Sequence, residues 1–205
     1  NLCEQARFTG YTQDGGYAEY AVANAGFCFA IPARYGDAEA APLLCAGITT
    51  YSPLKKFNVG PGTKAGVIGL GGLGHMGVKL AKAMGADVTV FSTSPGKEAD
   101  ARALGADNFI VSKSAEAMAP LVNSFNFLLD TVSAAHDLMP YIGLLGYGGA
   151  MVVVGVPPEP TMFHQGSLIM GNRILAGSLI GGIPETQEML DFCTANNILS
   201  DVEVI

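Results

Sequence analysis

Apolar positions along this chain follow two different rhythms. Across residues 1–32 the pattern is one of short extended segments. Asp14-Gly15-Gly16 supplies a turn, Tyr17-Ala18-Glu19-Tyr20-Ala21-Val22 alternates with period two, and residues 27–31 form a second candidate strand stopped by Pro32. An alanine-rich stretch over 37–51 predicts a helix. From Lys64 onward, short unbroken apolar runs alternate with helical patterns. Residues 65–69 read as a strand, and 73–84 as a helix with Leu73, Met76, Gly77, Leu80, Ala81 and Met84 on one face and Lys79 and Lys82 outside. Gly85 ends that helix, 87–91 is the next strand, and 97–104 is a helix closed by Gly105. Further strands are expected at 109–111, 125–130, 150–155 and 173–180, with helices over 136–145 and 184–196 and an extended run from 201. Alternating β and α segments with continuously apolar strands predict a parallel sheet covered on both faces.

Composition narrows the field. The chain has 205 residues, 49% of them hydrophobic, enough for one folded domain or one domain with part of another. Eighteen Asp+Glu against eleven Lys+Arg give a net charge of −7, and the few lysines are scattered, so a nucleic-acid partner is not expected. No apolar run approaches the roughly 20 residues of a membrane-spanning helix, so no membrane partner is expected either. The N-terminus has no signal-peptide pattern, and the cysteines at 3, 28, 45 and 193 lack a disulfide framework spacing. The expectation is a cytoplasmic protein. Glycine, at 27 residues, is about twice its usual frequency and points to many tight backbone approaches.

The sharpest local signal is Gly69-Leu70-Gly71-Gly72-Leu73-Gly74, a G-x-G-x-x-G between a predicted strand and a predicted helix. The first glycine makes the tight turn, the second admits a pyrophosphate to the backbone, and the third lets helix and strand pack closely. The helix N-terminus then offers free N–H groups to the phosphates. About 20 residues on, an NAD site places a carboxylate for the ribose hydroxyls. Here that position is Ser92, followed by Thr93, Ser94 and Lys97. Hydroxyls and an ammonium suit a 2′-phosphate, so NADP is expected over NAD.

Metal chemistry is harder to read from spacing. Cys45 sits in Pro42-Leu43-Leu44-Cys45-Ala46-Gly47-Ile48, where it reads as a buried core thiol. Cys28 and Cys193 also read as core, and Cys3 as a loop thiol. No H-x-x-x-H or C-x-x-C pair is present among His75, His136, His164 and the cysteines, so no complete zinc site is legible.

Four motifs occur together in order: Asp14-Gly15-Gly16-Tyr17-Ala18-Glu19-Tyr20, the segment from Cys45 to Tyr51-Ser52-Pro53-Leu54, the loop from Gly69 to Gly77, and Gly181-Gly182-Ile183-Pro184-Glu185-Thr186-Gln187-Glu188-Met189-Leu190. On these motifs the chain resembles the zinc-dependent alcohol dehydrogenases of the medium-chain dehydrogenase/reductase superfamily, most closely the cinnamyl-alcohol-dehydrogenase-like branch. The resemblance implies a Rossmann doubly wound parallel sheet, with remnants of a GroES-like β domain at both ends: 1–36 the tail of the catalytic domain, 37–180 the NADP-binding domain, 181–205 the start of the return. It implies that Cys45 is a catalytic-zinc ligand, that Thr49 lies beside the nicotinamide, and that Cys3 is a structural-zinc ligand. It places the 2′-phosphate near Ser92, Thr93, Ser94 and Lys97, lines the cleft with Thr131 and Gly155, and holds the nicotinamide end on backbone near Ser178, Leu179 and Ile180.

The function it implies is zinc-dependent, NADP(H)-linked interconversion of primary alcohols and aldehydes. The remaining zinc ligands and proton-relay residues of that family have no counterpart here. The chain is therefore expected to be a part of a longer enzyme and to be inactive alone. Alternatives are a nucleotide-binding module without chemistry and a zinc-free quinone or enoyl reductase, the latter disfavoured by Cys3 and Cys45 at ligand positions. A homodimer paired through the Rossmann sheet is expected, with residues 174–180 and 183–189 as the candidate interface.

Overall fold

The computed structural model describes residues 4–204. Its centre is a six-stranded, wholly parallel sheet. The strands are β1 (Lys64–Ile68), β2 (Asp87–Ser92), β3 (Asn108–Val111), β4 (Phe125–Asp130), β5 (Leu145–Val153) and β6 (Ile174–Gly177), in the order β3-β2-β1-β4-β5-β6. That order, reversing direction between β1 and β4, is the doubly wound Rossmann arrangement, and it opens a crevice beyond the carboxyl ends of those two strands. In chain order the α-helices are α1 (Asp37–Ala40), α2 (Ala46–Lys56), α3 (Gly72–Ala83), α4 (Glu98–Ala103), α5 (Ala115–Met118), α6 (Met139–Ile142), α7 (Gly166–Ile169) and α8 (Ile183–Ala195).

Two apolar layers sandwich the sheet. On one face Val67, Val90, Phe127 and Leu129 pack against α2, α3 and α8 through Ile48, Leu54, Met76, Leu80, Met189 and Leu190. On the other, Ile68, Phe91, Phe125, Leu128 and Met151 meet Met118, Leu138, Tyr141 and Ile142. Phe91, Phe127, Leu128 and Leu129 are all fully buried. Each such side chain contributes about 1.5–3 kcal/mol of transfer free energy.

Helices α3 and α4 end where the glycines predict. Gly85 (φ 94°) donates to Lys82 O and Ala86 to Ala81 O, and Gly105 (φ 106°) with Ala106 repeats the pattern on Arg102 and Ala101. These bonds satisfy the last helical carbonyls and turn the chain into the next strand.

Several expectations are corrected. Residues 17–22 and 27–31 are not strands. The first has no regular element and exposes Tyr17, Tyr20 and Val22, and the second begins within a 3₁₀ turn, Ala25–Phe27. Alternation makes a strand only beside another strand, and among the described residues none pairs with either segment. The bridge Thr9↔Gln13 is the β pairing recorded in this region. The helix expected over 136–145 shrinks to α6, because Pro140 lies in its first turn and His136 is tied back to β4. The 37–51 helix is broken by a 3₁₀ turn at Ala41–Leu44 that contains Pro42. Residues 201–204 carry no regular element. Cys28 is exposed rather than core, while Cys193 is buried as expected.

Candidate functional site

The glycine loop leaves β1 and enters α3. Gly69 adopts φ 88°, a left-handed turn that side chains resist, and its N–H donates to Phe91 O at 2.9 Å. A Cβ on Gly74 would lie 2.2 Å from Gly69 O, so loop and helix touch backbone to backbone there. A Cβ on Gly71 or Gly72 would meet nothing within 4 Å. The loop is thus packed on one side and open on the other, and the open side faces a cavity of about 310 Å³.

That cavity is walled by Gly69, Leu70 and Gly71, by Ser92, Thr93, Ser94 and Lys97 after β2, and by Thr131 after β4. The Ser92–Lys97 turn is ordered: Ser92 Oγ accepts from Ser94 N at 3.2 Å, and Lys97 N donates to Ser94 O. Lys97 Nζ crosses the mouth of the cleft to donate to Leu70 O at 2.7 Å. Thr131 Oγ1 donates to Ile68 O at 2.8 Å, fixing the end of β4 against the glycine loop. None of the residues lining the cavity is a carboxylate. The glycine loop and the open helix N-terminus fit a dinucleotide.

Part of the wall escaped sequence reasoning. Ser112, His136 and Tyr141 line the same cavity. Phe91, Tyr141 and His136 form an aromatic row, with edge-to-face contacts at 5.8 Å and 6.3 Å between successive rings. Asp130, at the end of the apolar β4, is buried beneath it and accepts from Val132 N at 3.1 Å and pairs with His136 Nε2 at 3.0 Å. Burial pushes the Asp130 carboxyl above its usual range, against the pull of the Val132 N–H and of His136. Burial also raises the Tyr141 hydroxyl, opposed by a hydrogen bond with Ser112. One signal for this group stood in the sequence: an aspartate closing an otherwise buried strand needs a partner, and a histidine follows six residues later.

The other expected residues gather elsewhere. Gly155 approaches the loop after β4 so closely that a Cβ would lie 2.3 Å from Val132 O, and its neighbour Val154 donates to Asp130 O. Ser178 N donates to Val153 O at 3.2 Å. Ile180 holds φ 41°, a left-handed conformation unusual for a β-branched residue. Gly181 presses on Ile48 of α2, so the segment after β6 meets the start of that helix, where Thr49 is buried. Leu179 is exposed in the same segment.

Cys45 precedes α2 and is exposed, which corrects its reading as a core thiol. Cys193, by contrast, is buried, and burial raises its thiol to about 12. Cys3 lies outside the described residues. Among the described residues no three His, Cys, Asp or Glu side chains come together to hold a metal. Cys45 alone does not make a zinc site.

Fold and cleft together define a Rossmann nucleotide-binding domain. A family model described as zinc-binding dehydrogenase matches residues 72–195, more than half of the chain, and the chain belongs to that family. It is 51% identical over 200 residues to a probable mannitol dehydrogenase of Fragaria ananassa, covering 97% of this chain and 56% of that protein. It is 51% identical over 193 residues to the aldehyde reductase YahK of Escherichia coli, covering 93% and 55%. Among solved structures, a cinnamyl alcohol dehydrogenase of Sorghum bicolor superposes with TM-score 0.85 at 44% identity, over 86% of this chain and 51% of that one. A CAD of Helicobacter pylori, complexed with NADP(H), gives TM-score 0.85 at 41% identity over 94% and 55%. The chain spans about half the length of the curated relatives it matches.

Proposed function

We propose that this chain is the cofactor-holding part of an NADP(H)-dependent oxidoreductase that interconverts alcohols and aldehydes. The observation that carries the cofactor choice is the cleft's β2 corner. Ser92, Thr93, Ser94 and Lys97 stand where a carboxylate would select NAD, and no carboxylate lines the cavity. The substrate class is carried over from relatives named as alcohol, mannitol and cinnamyl alcohol dehydrogenases and as an aldehyde reductase. Hydride chemistry belongs to the cofactor, and the chain's contribution is to bind and orient it.

In this reading Thr131 and Gly155 border the path of the cofactor. Thr49 and the backbone at Ser178, Leu179 and Ile180 receive its nicotinamide end, supported by the meeting of α2 with the segment after β6. Cys45 serves as one sulfur ligand of a zinc whose other ligands lie outside residues 4–204, supported by its exposure and by the family.

Fluorescence titration with NADPH and NADH tests the cofactor assignment. The expected result is saturable binding that favours NADPH. Ser92→Asp, which puts a negative charge beside the phosphate, should weaken NADPH by about tenfold or more and leave NADH much less affected. Equal affinity for both cofactors, or indifference of NADPH to Ser92→Asp, would refute the assignment.

A further inference from the structure

Both ring nitrogens of His136 face oxygen acceptors: Nδ1 lies 2.9 Å from Ala134 O, and Nε2 lies 3.0 Å from Asp130 Oδ2. A carbonyl only accepts, so Nδ1 carries a proton. The Nε2···Oδ2 contact needs a second proton, held by the imidazole or by the carboxyl. In either form the pair is formally neutral. Asp130's side chain is 3% exposed and His136's 19%, so this neutrality is established below the surface of the cleft, where solvent screens little.

The sheet register gives the pair its place relative to the phosphate corner. Ile68 is flanked by Phe91 on β2 and by Asp130 on β4. Two strand spacings, about 9.6 Å, therefore separate the backbone at Asp130 from the end of β2 where Ser92 begins the hydroxyl turn. The other titratable or charged groups around His136 are few. Lys97 lines the same cavity, Tyr141 packs edge-on against the imidazole, and Asp137 follows in the chain, with Oδ1 accepting from Met139 N. An ionised Asp130 without His136 would be a buried negative charge beside a site built for an anion.

We infer that His136 is a positioning residue that determines cofactor specificity: by neutralising Asp130 it lets the cleft accept a 2′-phosphate that the bare carboxylate would repel. This rests on the NADP(H) reading above. The effect is electrostatic and long-range: it acts on the pyrophosphate that both cofactors carry and additionally on the 2′-phosphate, so it weighs more heavily on NADP+ than on NAD+.

Isothermal titration calorimetry with NADP+ and NAD+ on the wild-type chain, His136→Gln, Asp130→Asn and the double variant tests it. At pH 7.5, His136→Gln should weaken both cofactors, NADP+ by about tenfold more than NAD+ because of its additional phosphate. The double variant should recover the wild-type preference, because the charge is gone along with its partner. Asp130→Asn alone should keep or increase that preference. Acidification should restore part of it in His136→Gln, as the buried, unpaired Asp130 takes up a proton.

A purely structural role predicts something else: equal weakening of both cofactors in His136→Gln, with no rescue in the double variant. That outcome overturns the inference, as does an unchanged preference. If His136→Gln does not fold, Asp130→Asn decides, and a fall in its NADP+ preference overturns the inference. Failure of the wild-type chain to bind NADP+ at all would sink the cofactor reading and this one with it. Binding with an unmoved preference would sink only this one.

Discussion

Gly71 and Gly74 stand three residues apart in one loop but answer to different constraints. At Gly74 a methyl group would sit 2.2 Å from the Gly69 carbonyl, and backbone on both sides leaves nothing soft to yield. Gly74→Ala must therefore lift α3 off the loop, at a cost of about 1–3 kcal/mol in stability. At Gly71 the backbone is extended (φ −122°), and a methyl would project into empty space on the cleft side. Gly71→Ala should melt within a degree or two of wild type, since nothing in the fold is disturbed. Both substitutions should nevertheless weaken NADPH by at least about tenfold, one by displacing the loop and the other by filling the room a phosphate needs. Thermal melts paired with NADPH titrations separate the two causes. Undiminished binding by Gly71→Ala would show that the open side of the loop is not where the phosphates lie. The G-x-G-x-x-G spacing disclosed this division of labour in advance. It could not disclose Asp130 and His136, whose partnership exists only once β4 and the loop after it have folded back on each other.

Helices α2 and α8 are joined at their outer edge by Glu188, which accepts from the Tyr51 hydroxyl at 2.9 Å and forms an ion pair with Lys55. The Tyr51 and Phe192 rings lie 5.5 Å apart beneath it. Lys55 first, and Tyr51 second, hold the Glu188 carboxyl below its ordinary value of 4.5. A carboxyl lowered in the fold stabilises it at pH above that ordinary value, and the contribution fades as the pH falls through the lower folded value. Glu188 and Lys55 are both about half exposed, so solvent keeps the pair below about 1 kcal/mol. Lys55→Met should thus lower the melting temperature by a few degrees at most at pH 7, and the gap should narrow as the pH falls below 4.5. A gap independent of pH would assign the loss to packing of the lysine stem instead. Helix α8 and β1, β2 and β4 were legible because each carries its own period and its own stop, whereas α2 was merged with the segment before the Ala41–Leu44 turn and runs on to Lys56 rather than stopping at residue 51. The segments at 17–22 and 27–31 were misread because alternation specifies a face but not a neighbour. The start of the 136–145 helix was lost to a tertiary bond, His136 to Asp130, that competes with helical turns and leaves no periodic trace, and its end to β5, which begins at Leu145.

At the scale of the whole molecule, the sheet ends on two sides, and β6 is the side with consequences for assembly. Among the described residues it pairs with β5 alone, so one row of its backbone groups faces away from the sheet. Ile174 on that strand is exposed, as is Ile183 at the start of α8. An edge of this kind is a template for a second strand, and we propose that two copies of the chain pair along it. The direction of each N–H follows from one bond: Ser178 N donates inward to Val153 O, so by alternation the N–H groups of Ala176 and Ile174 also point to β5, and those of Leu175 and Gly177 point outward. Proline at position 177 would remove an outward donor without breaking the bonds to β5, and a Cβ there meets nothing within 4 Å. The wild-type chain should therefore sediment as a dimer and Gly177→Pro as a monomer. A wild-type chain that stays monomeric as its concentration is raised would remove the edge from consideration. A Gly177→Pro chain that still dimerises would move the contact from the strand to the apolar residues beside it.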